Sequence, residues 1–191
     1  MVAAEGIALV FKEAPMTDWI ETERTRMRPF EEADAAEAFA WFSDAEVMMY
    51  IPGGGDAVMD DTERRIAGYR QHQERYGFSK RIIIHRETGR AIGDSGLFHL
   101  PDWERIELGF RPARQHWGAG YAVEAGCAWL DWFDRNLTGR PLFADVHPDH
   151  IRSQRVLAKL GFLHSHSERI CDMEMLVYFR HQTPQVITPL P

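Results

Sequence analysis

Residues 106–133 read IELGFRPARQHWGAGYAVEAGCAWLDWF, a strand, a glycine-bearing turn and a long apolar helix in direct succession. Ile106–Phe110 has β-favouring residues with a glutamate at its centre, and Pro112 removes a backbone donor that would prolong the strand. Gly118 and Gly120 permit a tight backbone path, and Tyr121–Phe133 continues as a helix. Such a loop feeding a helix N-terminus suits an anion, because unpaired N–H groups and the helix dipole point at it. The spacing Gln115-x-x-Gly118-x-Gly120 is neither the G-x-G-x-x-G dinucleotide fingerprint nor a nucleotide P-loop, which would end in Lys-Ser/Thr.

Outward from this stretch, the upstream side reads as two strands, Arg81–His85 and Arg90–Leu100, joined by the turn Glu87-Thr88-Gly89. Pro101–Trp103 turns the chain into Ile106. Further upstream, the stretch from Ile20 to Phe30 has strand character, with Thr25 and Met27 on one face and Arg24, Arg26 and Arg28 on the other. That arginine row reads as a solvated face, with a phosphate site as the alternative. Asp34–Phe42 and Asp60–Tyr76 read as helices flanking the apolar Val47–Ile51 and the glycine loop Pro52–Asp56, a hinge or lid. Downstream, Leu142–His147 is a strand, Ile151–Leu160 a helix stopped by Gly161, and Glu168–Phe179 one last long strand. The boundaries are an N-terminal extension over 1–19, one domain over 20–181 and a tail over 182–191.

With 191 residues, 45% hydrophobic and 27% charged, the chain has the composition of one ordinary globule. A net charge of −7 argues against nucleic-acid binding, which needs a basic field, and suits a cationic substrate. Cys127 and Cys171 are too few for a disulfide framework and read as buried thiols in a reducing compartment. No apolar run reaches membrane-spanning length, and Glu5 spoils a secretion signal, so the expected location is cytoplasmic, away from membranes.

The glycine turn resembles the (Arg/Gln)-x-x-Gly-x-(Gly/Ala) turn of the GNAT acyltransferases, and other blocks agree. Residues 146–162, VHPDHIRSQRVLAKLGF, are similar to that family's V-x-P-x-N-x-x-S-x-x-V-x-x-K-x-G-F segment. Residues 22–30, TERTRMRPF, and the pieces Ile92–Leu97 and Glu107–Phe110 look like a branch that holds ribosomal-protein N-terminal acetyltransferases and small-amine acetyltransferases. The resemblance spans about residues 20–180. It implies an α/β (α+β) GNAT fold, with a mixed, mostly antiparallel sheet flanked by helices, and acetyl-coenzyme A as co-substrate. It also implies direct transfer to a primary amine, on a peptide N-terminus or a small molecule; a homodimer is compatible with it.

By the same resemblance, the cofactor would lie against Leu108, Phe110, Gln115, His116, Trp117, Gly118, Ala119, Gly120, Tyr121, Ala122, His150 and Ser153. The diphosphate would sit on the amides of residues 117–122, and an N–H of Leu108 or Phe110 would polarise the acyl carbonyl. Glu107 would accept the amine proton, or merely anchor a neighbouring strand. Ser153 would protonate the leaving thiolate, unless the thiol's own acidity makes an acid unnecessary. Two positions depart from the family: His150 stands for the usual Asn, and Leu157 for the common Tyr acid. Glu124 reads as structural, and Trp129, Trp132 and Phe133 as a packed helix face. Trp41, Tyr50 and Trp103 are candidates for the acceptor wall or the core. His147, His150, His164 and His166 lack the partners of a metal site, although His164 and His166 would share a strand face, so no metal is expected. A non-catalytic acyl-coenzyme A sensor, or a transferase for another acyl group, stays as the alternative.

Overall fold

A computed structural model describes residues 19–101, 104–137 and 139–180. The expected extension before Trp19, Trp103 and the tail over 182–191 lie outside the described residues.

Eight strands form one sheet: β1 (Ile20–Glu21), β2 (Thr25–Pro29), β3 (Lys80–His85), β4 (Ala91–Leu100), β5 (Arg105–Pro112), β6 (Leu142–Val146), β7 (Leu163–Ile170) and β8 (Met173–Arg180). Their spatial order is β1-β2-β3-β4-β5-β6-β8-β7, antiparallel throughout except for the β5–β6 pair. The helices are α1 (Ala35–Phe42), α2 (Ala45–Met48), α3 (Met59–Tyr76), α4 (Tyr121–Asn136) and α5 (Ile151–Lys159).

Period-two burial divides the sheet into two faces. Met27, Ile83, Leu97, Ile106, Leu108, Leu142, Ala144 and Val146 pack against α4 and α5. Ala125, Trp129 and Phe133 supply α4's stripe at four-residue spacing, and Trp129 and Phe133 are fully buried. Each of those two rings stabilises the fold by on the order of 2–3 kcal/mol. Phe30, Ile82 and Ile84 cover the opposite face beneath α1 and α3, together with Trp41, Phe42 and Ile66. Trp41 is therefore core, with its indole N–H donating to Asp94 at 3.1 Å. The helix α5 ends where the sequence requires, at Gly161 with φ +78°.

Four sequence expectations need correction. The stretch from Ile20 to Phe30 is a hairpin and not one strand: β1 and β2 pair antiparallel, Ile20 opposite Met27, and Arg24 lies in the turn between them, so strand alternation does not set it on one face with Arg26 and Arg28. The final long strand is a hairpin: β7 and β8 are joined at Cys171 and Asp172, with φ of 45° and 66°. Period-two reading ran across this turn because it contains neither glycine nor proline. Both cysteines are exposed rather than buried, Cys171 at that turn and Cys127 on the outer side of α4, off the buried stripe. A bulge between His164 and His166 sets the first opposite Tyr178 and the second opposite Val177, so they do not share a face.

Candidate active site

The parallel pair at the sheet centre is short. β5 and β6 register at Ile106↔Leu142 and Glu107↔Phe143 and then separate, although β5 runs on to Pro112 and β6 to Val146. On its other side β5 pairs with β4 along its whole length, and the Ala113 N–H donates to the Ile92 carbonyl. Antiparallel alternation from that bond turns the amides of Glu107, Gly109 and Arg111 toward β4. Those of Leu108 and Phe110 face the gap. The gap opens into a cleft of about 790 Å³, walled by β5, β6, the 116–123 turn and the start of α5.

At one end of the cleft lies the glycine turn. Gly118 and Gly120 have φ of 77° and 87°, the left-handed region that disfavours any side chain. This path leaves the N–H groups of Gly118, Ala119, Gly120, Tyr121 and Ala122 without an acceptor among the described residues. Successive free amides at a 16-residue helix's N-terminus form a concave anion seat. Glu124 fixes the seat from behind: it accepts from the Thr22 hydroxyl at 2.5 Å, the Arg24 amide at 2.8 Å and Arg24 Nε at 2.7 Å. Burial disfavours the charged carboxylate, yet those bonds outweigh it and hold Glu124 below the usual range. Arg24, the first of the arginine row, also donates to the Ala119 carbonyl at 3.0 Å and lies over the Tyr121 ring. Arg26 stacks on Trp19 and Arg28 pairs with Asp34, so the row consists of partnered side chains.

The other face of the sheet presents a charged floor. Lys80, buried on β3, donates to the Gly96 carbonyl at 3.2 Å and stands 4.0 Å from Glu107 Oε1. Its ammonium occupies the space above Gly109, where a Cβ would come within 2.2 Å of Nζ. Burial pulls the Lys80 pKa down, and Glu107 partly restores it. Asp145, on β6, is pushed up to about 7 by burial and then by Glu107 and Glu168. Arg105 holds Glu168 through bonds of 2.6 and 3.2 Å. Deeper in, Arg111 grips Asp94 at 3.1 and 2.8 Å and donates to the Tyr69 hydroxyl at 2.7 Å. This buried strut ties β4 and β5 to α1 and α3 through Trp41 and Tyr69.

Across the gap, Tyr50 stacks on both His147 and His150, with ring centroids 4.9 and 4.8 Å away. His150 Nε2 lies 3.4 Å from the Ser153 hydroxyl. Burial, then Arg152 and His147, lower the His150 pKa, which keeps its ring neutral at pH 7. Leu157 is buried and has no proton to give.

Glu107, Leu108, Phe110, His116, Trp117, Gly118, Gly120, Tyr121, Ala122, His150 and Ser153 all line the cleft. Gln115 is exposed, in the short turn before Trp117, and like Ala119 it stands off the cleft wall. Sequence reasoning missed Lys80, Asp145 and the Tyr50–His147 contact. The first two had a visible signal: a charge keeping strand parity within an apolar run, beside Ile82 and Ile84 or between Ala144 and Val146. Among the described residues no group of three or more His, Cys, Asp or Glu could hold a metal ion, and no helix is long and apolar enough to cross a membrane.

A family described as "Acetyltransferase (GNAT) domain" matches residues 24–163. A curated Bacillus subtilis (strain 168) protein, the uncharacterized YkkB, is 32% identical over 163 residues, covering 83% of this chain and 93% of its own. An uncharacterized N-acetyltransferase of Bacillus licheniformis, p20, is 32% identical over 146 residues, 74% of this chain and 80% of its own. Among solved structures, an acetyltransferase from Agrobacterium tumefaciens str. C58 superposes with a TM-score of 0.76 at 29% identity, covering 86% of this chain and 94% of that one. The ribosomal-protein-S5-alanine acetyltransferase from Vibrio fischeri shares the fold at a TM-score of 0.72, with 15% identity over 87% of this chain and 97% of that one.

Proposed function

The chain belongs to the GNAT acetyltransferase family and is an acyltransferase enzyme; from that premise we propose that it transfers an acetyl group from acetyl-coenzyme A directly to a primary amine. The observation that carries this reading is the line of free N–H groups from Gly118 to Ala122 opening onto the β5–β6 gap. A diphosphate on that seat leaves a pantetheine arm with an extended strand edge to follow, the unpaired edge of β5 at Leu108 and Phe110.

The bound cofactor supplies an activated thioester. The chain's own groups do the rest. One of the Leu108 and Phe110 amides polarises the acyl carbonyl as negative charge develops on its oxygen. Ser153, beside His150, is placed to return a proton to the departing sulfur. Glu107 gives the amine a carboxylate to approach. The acceptor is a cationic amine, on a small molecule or a peptide N-terminus, in keeping with the net charge of −7 and the carboxylates of the floor. A cytoplasmic setting, reducing enough for two exposed thiols, goes with this reading.

The test is release of free thiol from acetyl-coenzyme A with spermidine, 2-phenylethylamine and an alanine-initiated hexapeptide in turn. Acceptor-dependent release together with an acetylated product is the expected result. Tight cofactor binding without turnover on any of the three would turn the reading toward a sensor, and absence of binding would end it.

A further inference from the structure

Asp145 is a carboxylate that the roles above leave unused. It stands two residues past the last β5–β6 pair, where the strands begin to separate. Ala144 and Val146 point into the core on the α4 side, so alternation turns Asp145 toward the opposite face, where it lines the cleft beside Glu107 and Lys80. Its Oδ1 is buried and accepts no hydrogen bond among the described residues. The charged groups that act on it are Lys80 from β3, Arg105 and Glu107 from β5, and Glu168 from β7. Val177, opposite on β8, brings no charge. Both cations have other carboxylates to serve. Arg105 is engaged by Glu168, and Lys80 donates to Gly96 and leans on Glu107.

The two carboxylates at the head of the gap are thereby unequal. A carboxylate beside an ammonium is a poorer proton acceptor, whereas one with an unclaimed buried lone pair is a better one. Resting on the acetyl-transfer reading, we propose that Asp145 takes the proton from the incoming ammonium, while Glu107, compensated by Lys80, positions that amine. The ammonium gives one proton to the Asp145 carboxylate, and the freed lone pair forms the N–C bond at the acyl carbon. The C–S pair leaves on sulfur as thiolate, and the second proton on nitrogen passes to sulfur. Amide and thiol result, and Asp145 returns its proton to solvent. A carboxyl whose burial brings it to about 7 is matched to this task at neutral pH.

Two measurements test the assignment. Carboxyl carbon NMR of the full chain labelled at Asp, assigned with Asp145→Asn, should show Asp145 titrating near neutrality. A midpoint in the ordinary carboxylate range, near ~4, overturns the proposal whether or not turnover is found. On whichever of the three acceptors turns over, Asp145→Asn should lower kcat/KM by about 100-fold and abolish its rise with pH near neutrality. Glu107→Gln should chiefly raise KM and keep that rise. Hydroxylamine, largely unprotonated at neutral pH, should recover most of the Asp145→Asn loss. Retention of the wild-type pH profile by Asp145→Asn rejects Asp145 as the base and leaves acetyl transfer standing. Failure of all three acceptors in the wild type would reject the transfer reading, and the titration would still decide whether the Asp145 carboxyl holds its proton to near neutrality.

Discussion

The two ends of the cleft are built from different material. The anion seat is backbone: amides of consecutive residues, 118–122, shaped by two glycines and braced by Glu124. The charged floor is side chains, Lys80, Glu107, Asp145 and Glu168, contributed by β3, β5, β6 and β7. A backbone site tolerates changes of side chain and fails on changes of path. A side-chain site behaves the other way. On the proposed reading, substitutions at the two ends should therefore separate binding of the cofactor from handling of the acceptor.

The largest effect is expected at the strut beneath the floor. Asp94→Ala leaves the Arg111 guanidinium buried without its carboxylate and should cost about 3–5 kcal/mol in chemical denaturation. A loss below ~1 kcal/mol would mean that Arg111 finds water or another partner.

Next comes the seat. Gly120→Val places a β-branched residue at φ +87° and should weaken coenzyme A binding roughly 100-fold by calorimetry, through strain and a misdirected amide line. Asp145→Asn should leave the same titration almost unchanged, and equal losses from both variants would erase the distinction.

The third effect is on stability against pH. The Asp145 carboxyl is raised in the folded state, so folding retains a proton that the unfolded chain gives up above about 4. Its contribution is full below that pH and is lost as pH rises through about 7. Asp145→Asn should gain on the wild type over this window, by on the order of 1–2 kcal/mol once partial solvent access is discounted. A constant difference in melting between pH 4 and 8 would refute the raised carboxyl. The smallest effect belongs to Glu124→Gln, which weakens the brace without breaking the seat. Coenzyme A affinity should fall about fivefold, which is ~1 kcal/mol.

What the sequence disclosed follows the same division. The seat was legible because its determinants are adjacent: Gly118, Gly120 and the helix behind them fall within a few residues, and the positive φ values require those residue types. The three antiparallel strands, the long helix and the Gly161 stop were legible for the same local reason. The floor was half legible. Glu107 was found because it lies in the organising strand, but its link to Lys80 depends on β3 and β5 lying on either side of β4, with Gly109 leaving room for the ammonium. Nothing near residue 145 announces that its strand will part from β5 just there. The Tyr50 stack joins chain segments about a hundred residues apart, and no local pattern could have placed it.

The register of β5 against β4 has a consequence for how the gene can change. Along one strand, the even-numbered residues turn their amides to the gap and their side chains to the core, and the odd-numbered residues do the opposite. A codon lost or gained upstream within that strand would exchange the two inventories at once, putting Glu107 among the tryptophans of α4 and Leu108 over the charged floor. Substitution is open to this segment as a path of divergence, and length variation is closed to it.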